Sequence, residues 1–81
     1  MVGKFERSVF GDNLRIQLEV RGWKQKDLAK LTGMTEVTVS RYINGQRLPD
    51  IEMTCKICNA LGIGVDDLVW VPFSFRRVGV E

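Results

Sequence analysis

Thr35-Glu36-Val37-Thr38-Val39-Ser40-Arg41-Tyr42-Ile43-Asn44, closed by Gly45, is the stretch on which the fold turns. It reads as one short helix with two unlike faces. Thr35 can cap its start by accepting a backbone N–H bond. Gly45 can end it, because glycine enters the left-handed region past a helix at little cost. At roughly 100° per residue, Val39, Tyr42 and the Thr35 and Thr38 methyls fall on one side. Glu36, Val37, Ser40, Arg41 and Asn44 fall on the other. That outward set is short polar groups, one branched apolar group and one arginine. It could be no more than the solvated face of a small bundle. It can also press close against a surface that displays donors, acceptors and methyls, and the DNA major groove is such a surface and admits a helix.

The preceding residues decide between these readings. Gln25-Lys26-Asp27-Leu28-Ala29-Lys30-Leu31-Thr32 forms a helical pattern of about two turns. Gly33 follows where two helices must turn sharply, and Met34 can plug the angle. Ala29 is small where the helices cross. Leu28, Met34, Val39 and Tyr42 supply a shared core. A helix, a short glycine turn and a second helix make the DNA-reading supersecondary unit, here over about residues 25–44.

The combined pattern resembles the helix-turn-helix of the phage Cro and repressor family, the XRE-like regulators. The residues that carry the resemblance are Gly22 to Ala29, Thr32-Gly33-Met34-Thr35, Val39-Ser40-Arg41-Tyr42, Asn44-Gly45-Gln46-Arg47 and Pro49. It continues through Ile57, Leu61-Gly62 and Val65 to Leu68. Thr32 departs from the family, which more often has an aliphatic residue there; its methyl can still face a core. The resemblance implies a compact, all-α, five-helix lambda-repressor-like domain that binds double-stranded DNA.

Composition bounds the rest. The chain has 81 residues and a formal net charge of +2. That length suits a single domain, 1–81, with an adequate but modest core. No run of about 18 apolar residues occurs, so no segment is expected to span a membrane. The first residues lack the apolar segment of a secretory signal, which makes a cytoplasmic location the expectation. Lys24, Lys26, Lys30, Arg41 and Arg47 crowd the helix-turn-helix, where Asp27 and Glu36 oppose them. Basic clustering of this kind is the electrostatic footprint of a nucleic-acid binder, although charge runs are often only solvated faces.

The chain contains no histidine. Ser-His-Asp and Cys-His catalysis and histidine metal sites are therefore excluded. Asp66 and Asp67 are neighbours on a helical pattern and point in different directions, so they suit a helix start better than paired acid–base work. Gly62-Ile63-Gly64 is too short for a phosphate loop. No catalytic residue, metal site or cofactor is expected. Cys55 and Cys58 share a helical pattern with Ile51 and Leu61, which predicts small apolar packing. A reactive thiol pair, or a metal shared across a dimer, is the other reading.

In chain order, residues 1–10 are ambiguous. Gly3 and Gly11 interrupt regularity, and a short strand over about 2–7 is one arrangement. The first helix is expected to start near Gly11-Asp12-Asn13, with Asp12 as its cap, and to run to Arg21. Leu14, Leu18 and the stem of Arg21 face inward, and Gly22 ends it. The next helices span about 25–32 and 35–44. Asp50 caps a fourth helix over about 51–61, and a short fifth covers about 65–69. In the tail 70–80, Val71, Phe73 and Phe75 alternate with Pro72, Ser74 and Arg76, a period-two, strand-like pattern confined to an edge by Pro72. Its partner would be residues 2–7, giving a short β element from the two tails, or a second subunit.

Site residues divide by task, since phosphate contacts position a protein and base contacts specify sequence. Glu36, Val37, Ser40 and Arg41, with Thr35 on the border, are the base-reading set. Arg41 suits guanine O6 and N7, Val37 a thymine methyl, Glu36 the cytosine amino group. The alternative for Glu36 is an ion pair with Arg41 or Lys30. Thr38, turned toward the helix–helix angle, suits packing. The resemblance makes Gln25, Asn44 and Arg47 phosphate anchors, and Lys24 and Lys26 are weaker members of that set. The expected function is a sequence-specific transcriptional regulator, a repressor of phage or mobile-element type, binding a pseudo-palindromic operator as a homodimer, with no small-molecule effector evident in the sequence. The alternative is a protein-interaction module, such as an antitoxin or adaptor, that keeps the same fold.

Overall fold

The computed structural model describes residues 7–69, all of whose regular structure is helical: α1 (Arg7–Arg21), α2 (Gln25–Thr32), α3 (Glu36–Ile43), α4 (Ile51–Leu61) and α5 (Asp66–Val69). The strand-like readings of the N-terminal residues and of the tail 70–80 lie outside the described residues, except that Arg7 is helical.

One core joins all five helices. α1 contributes Phe10, Leu14 and Leu18, spaced four apart and so stacked on one face. Leu28 and Ala29 come from α2, and Val39, Tyr42 and Ile43 from α3. Ile57, Cys58 and Leu61 come from α4, and Leu68 from α5. Phe10 meets Tyr42 edge to face, with ring centroids 6.3 Å apart. The buried Asn13 side chain donates to the Leu68 carbonyl at 3.0 Å, which ties α1 to α5. The Arg21 guanidinium donates to the Leu61 carbonyl at 2.7 Å and stands 5.9 Å from the centre of the Trp23 ring. It thereby holds the ends of α1 and α4 together.

Two expectations about α1 are corrected. The helix begins at Arg7, more than a turn before Gly11, and Phe10 is fully buried. Gly11 is not a breaker: a Cβ there would collide with the Tyr42 and Ile43 carbonyls. Its missing side chain lets α1 lie directly on the end of α3. Asp12 accordingly is no cap; it sits inside the helix and pairs with Arg15 at 3.2 Å.

The α4 stripe is corrected as well. Its buried residues are Thr54, Ile57, Cys58 and Leu61, whereas Cys55 is exposed and Ile51 is 83% exposed. Cys55 lies about 110° around the helix from the centre of the buried set. Apolar packing therefore holds for Cys58 and fails for Cys55 and Ile51. Thr32, the departure within the helix-turn-helix, is buried with its hydroxyl donating to the Leu28 carbonyl at 2.8 Å. That bond leaves no unsatisfied polar atom where an aliphatic residue would need none.

Candidate DNA interface

The geometry of α3 follows from its two ends. Thr35 adopts an extended conformation and its hydroxyl accepts the Thr38 backbone N–H at 3.1 Å, which starts the helix. The two threonine hydroxyls are 2.9 Å apart, so Thr38 is engaged in the cap and half-buried, consistent with a packing role. Asn44 is the last cap residue, and Gly45 then enters the left-handed region at φ 73°. The Gln46 N–H reaches back to the Arg41 carbonyl at 2.9 Å and closes the turn. On the entry side, Gly33 at φ 77° and the Met34 N–H on the Ala29 carbonyl make the same turn after α2.

Val39, Tyr42 and Ile43 commit one side of α3 to the core. The other side is left open. Glu36, Val37, Arg41 and Asn44 are exposed, Ser40 is half-buried, and Thr35 is exposed at the cap. Val37 shows 59% of its surface. Asn44 donates its amide to the Ser40 hydroxyl at 3.2 Å, which links a base-reading candidate to an anchoring one. Among the described residues no ion pair engages Glu36, so the alternative of a Glu36 pair with Arg41 or Lys30 does not hold.

The anchoring candidates fall into two groups that flank α3. Lys24, Gln25 and Lys26 are exposed at the start of α2. The Asp27 carboxylate accepts the Lys24 N–H at 2.8 Å and fixes this turn. The first backbone N–H groups of α2 have no partner inside the helix and suit an anion. An open recess of about 510 Å³ is lined by these three residues together with Glu36, Arg15 and Trp23. On the other flank, Arg47 is exposed in the loop after α3. Thr35 and Arg47 both line a second recess, of about 520 Å³, floored by Met34, Tyr42, Leu48 and Met53. Arg7 was not among the sequence candidates. It reaches the same flank because α1 starts early, and a Cβ on Gly45 would meet the Ser8 Cα at 3.5 Å.

The Cys55 and Cys58 thiols are free, one exposed and one buried. Burial pushes the Cys58 thiol above its ordinary range, with smaller contributions from Cys55, Asp67 and Asp66. Among the described residues no group of three or more Cys, Asp or Glu could hold a metal ion. No described helix is long and apolar enough to cross a membrane.

A two-helix unit locked by a glycine turn, with its second helix packed on one side and open on the other, defines a DNA-reading class of domain. The helix-turn-helix family model matches residues 14–68, and the chain belongs to that family, in its XRE-like, Cro/repressor-type branch. It is similar to the HTH-type transcriptional regulator YgzD of Bacillus subtilis, with 30% identity over 62% of this chain and 76% of that one. It is also 30% identical to YonR, an SPbeta prophage-derived HTH-type regulator of the same organism, over 75% of this chain. It spans 56% of YonR's length. Among solved structures, the restriction-modification controller protein C.AhdI of Aeromonas hydrophila superposes with a TM-score of 0.73 at 31% identity, covering 76% of this chain and 94% of that one. The hypothetical transcription factor NHTF of Neisseria shares the fold, with a TM-score of 0.80 at 22% identity over 96% of this chain and 92% of its own. The chain is a DNA-binding transcriptional regulator of the helix-turn-helix type and not an enzyme. Nothing in these likenesses favours an antitoxin or adaptor.

Proposed function

We propose that this regulator is a homodimeric repressor that reads a pseudo-palindromic operator with the outward face of α3. Thr35, Glu36, Val37, Ser40 and Arg41 meet base edges. Lys24, Gln25 and Lys26 hold phosphates on one flank, and Asn44 and Arg47 on the other. The observation that carries this reading is Val37: an apolar side chain 59% exposed between Glu36 and Arg41, on a helix whose opposite side is fully committed to the core. A thymine methyl would remove that apolar surface from water.

The dimer follows from the size of the reading surface. One α3 reaches only a few base pairs, whereas two copies about one helical turn apart add their energies. Residues 1–81 serve as one DNA-binding domain, and the tail 70–80 is the proposed self-association element. The prophage origin in YonR's name supports a phage or mobile-element setting, and a cytoplasmic location accords with DNA as the target. Selection of bound sites from a pool of random duplexes tests the proposal. Enrichment of a two-fold-symmetric site is expected; failure to enrich any sequence would remove the sequence-reading role.

A further inference from the structure

We infer that Arg7 is an additional phosphate ligand, which extends the Asn44–Arg47 flank of the interface onto α1. The inference rests on the DNA reading proposed above and goes beyond it in naming a contact from outside the helix-turn-helix. The described arginines divide into two kinds. Arg15 is paired with the Asp12 carboxylate at 3.2 Å. Arg21 is held by the Gln17 side chain at 2.6 Å and the Leu61 carbonyl at 2.7 Å. Arg15 is thus engaged in an exposed surface pair and Arg21 in part-buried bonds within the chain. Arg7, Arg41 and Arg47 are exposed, and among the described residues none of them has a carboxylate partner. Two of these three are already assigned to DNA, one to bases and one to phosphate.

Arg7 lies beside the loop that carries Arg47. One of its guanidinium nitrogens reaches the Gln46 carbonyl at 3.5 Å, the residue between Gly45 and Arg47. That contact is at the outer limit for a hydrogen bond and exposed, so it leaves most of the five N–H donors to solvent. Two close backbone approaches set the placement. Gly11 sets α1 against the end of α3, and the start of α1 packs on Gly45 with its Cβ position 3.5 Å from the Ser8 Cα. An exposed guanidinium beside the backbone of an anchoring loop, with no carboxylate partner among the described residues, is suited to a phosphate oxygen. Arg7 and Arg47 then bracket Gln46 and present two cations to one strand.

The test is the salt dependence of duplex binding by the full chain, with Arg7→Ala, Arg7→Lys and Arg47→Ala, alongside thermal unfolding of each. Arg7→Ala should reduce the slope of log affinity against log salt by about 0.9, which is about an eightfold loss near 0.1 M salt. The loss should be equal on the preferred site and on random duplex. Arg7→Lys should keep the wild-type slope, and the melting temperature should not move. An unchanged slope in Arg7→Ala would overturn the inference and leave the Arg47 anchor standing. So would weaker binding that tracks a lowered melting temperature at constant slope, because the contact with Gln46 would then be structural. Absence of binding to any duplex by the wild-type chain would overturn the DNA reading, and this inference with it.

Discussion

Gly11 lies so close to Tyr42 that a Cβ on it would stand 2.7 Å from the Tyr42 carbonyl oxygen. The backbone of α1 thus rests directly on the end of α3. An exposed helical glycine gains roughly 1 kcal/mol on replacement by alanine. Here the sign should reverse. Gly11→Ala should destabilise the fold by about 1–3 kcal/mol, since neither carbonyl can move without disturbing α3. Chemical denaturation measures the change, and a stabilised variant would show that the close approach has been misjudged.

Arg41 and Arg47 should behave differently although both are exposed arginines near one end of α3. Arg41→Ala should cost about 1–3 kcal/mol on the preferred site and relax preference at one base position. Arg47→Ala should weaken all duplexes alike. Competition binding across single-base variants separates the two patterns. Identical sequence profiles for the two variants would contradict the division into reading and anchoring residues.

Two caps should separate stability from recognition. Asp50 accepts the Met53 N–H at 2.8 Å and starts α4. Asp50→Ala should lose about 1 kcal/mol with the sequence preference intact. Thr35→Ala should lose a similar amount and also weaken operator binding, and Thr35→Ser should recover the stability. Denaturation curves combined with titrations of one duplex would show the contrast. A change in sequence preference on Asp50→Ala would place α4 in the interface.

The thiols should differ in reactivity. Cys55 should react with an alkylating reagent in the folded chain, and Cys58 should react only on opening. Because burial raises the Cys58 pKa in the folded state, its unfolded form loses the proton first as pH rises. Its contribution to stability is therefore complete below the ordinary thiol range and declines as pH climbs through that range toward the raised folded value. Cys58→Ala should flatten this decline, as followed by urea unfolding at several pH values. An equal slope in wild type and variant would assign the decline to other groups.

Much of this arrangement is legible in the residues because the ends of α2, α3 and α4 carry local chemistry. Thr35 and Asp50 accept at helix starts, and Gly33 and Gly45 adopt the turns that end α2 and α3. Gly11 was illegible because its role depends on a helix that follows it by some thirty positions. A glycine in sequence does not say whether it ends a helix or lets another backbone in. Reading it as a break hid the first turn of α1, and with it the position of Arg7, although Phe10 was legible as a residue that could pack. On α4, Ile51 and Cys55 fit a helical spacing as well as Thr54 and Ile57 do. Which of the two stripes is buried depends on where α1 and α2 lie, and no local pattern encodes that.

Amide and methyl chemical shifts of the full chain, followed while an operator-bearing duplex is titrated in, test the central claim most directly. The largest changes should fall on Glu36, Val37, Ser40 and Arg41, with a second set at Lys24 to Lys26 and at Asn44 to Arg47. Changes confined to the outer surface of α4 and α5, with the Val37 methyls unmoved, would contradict it.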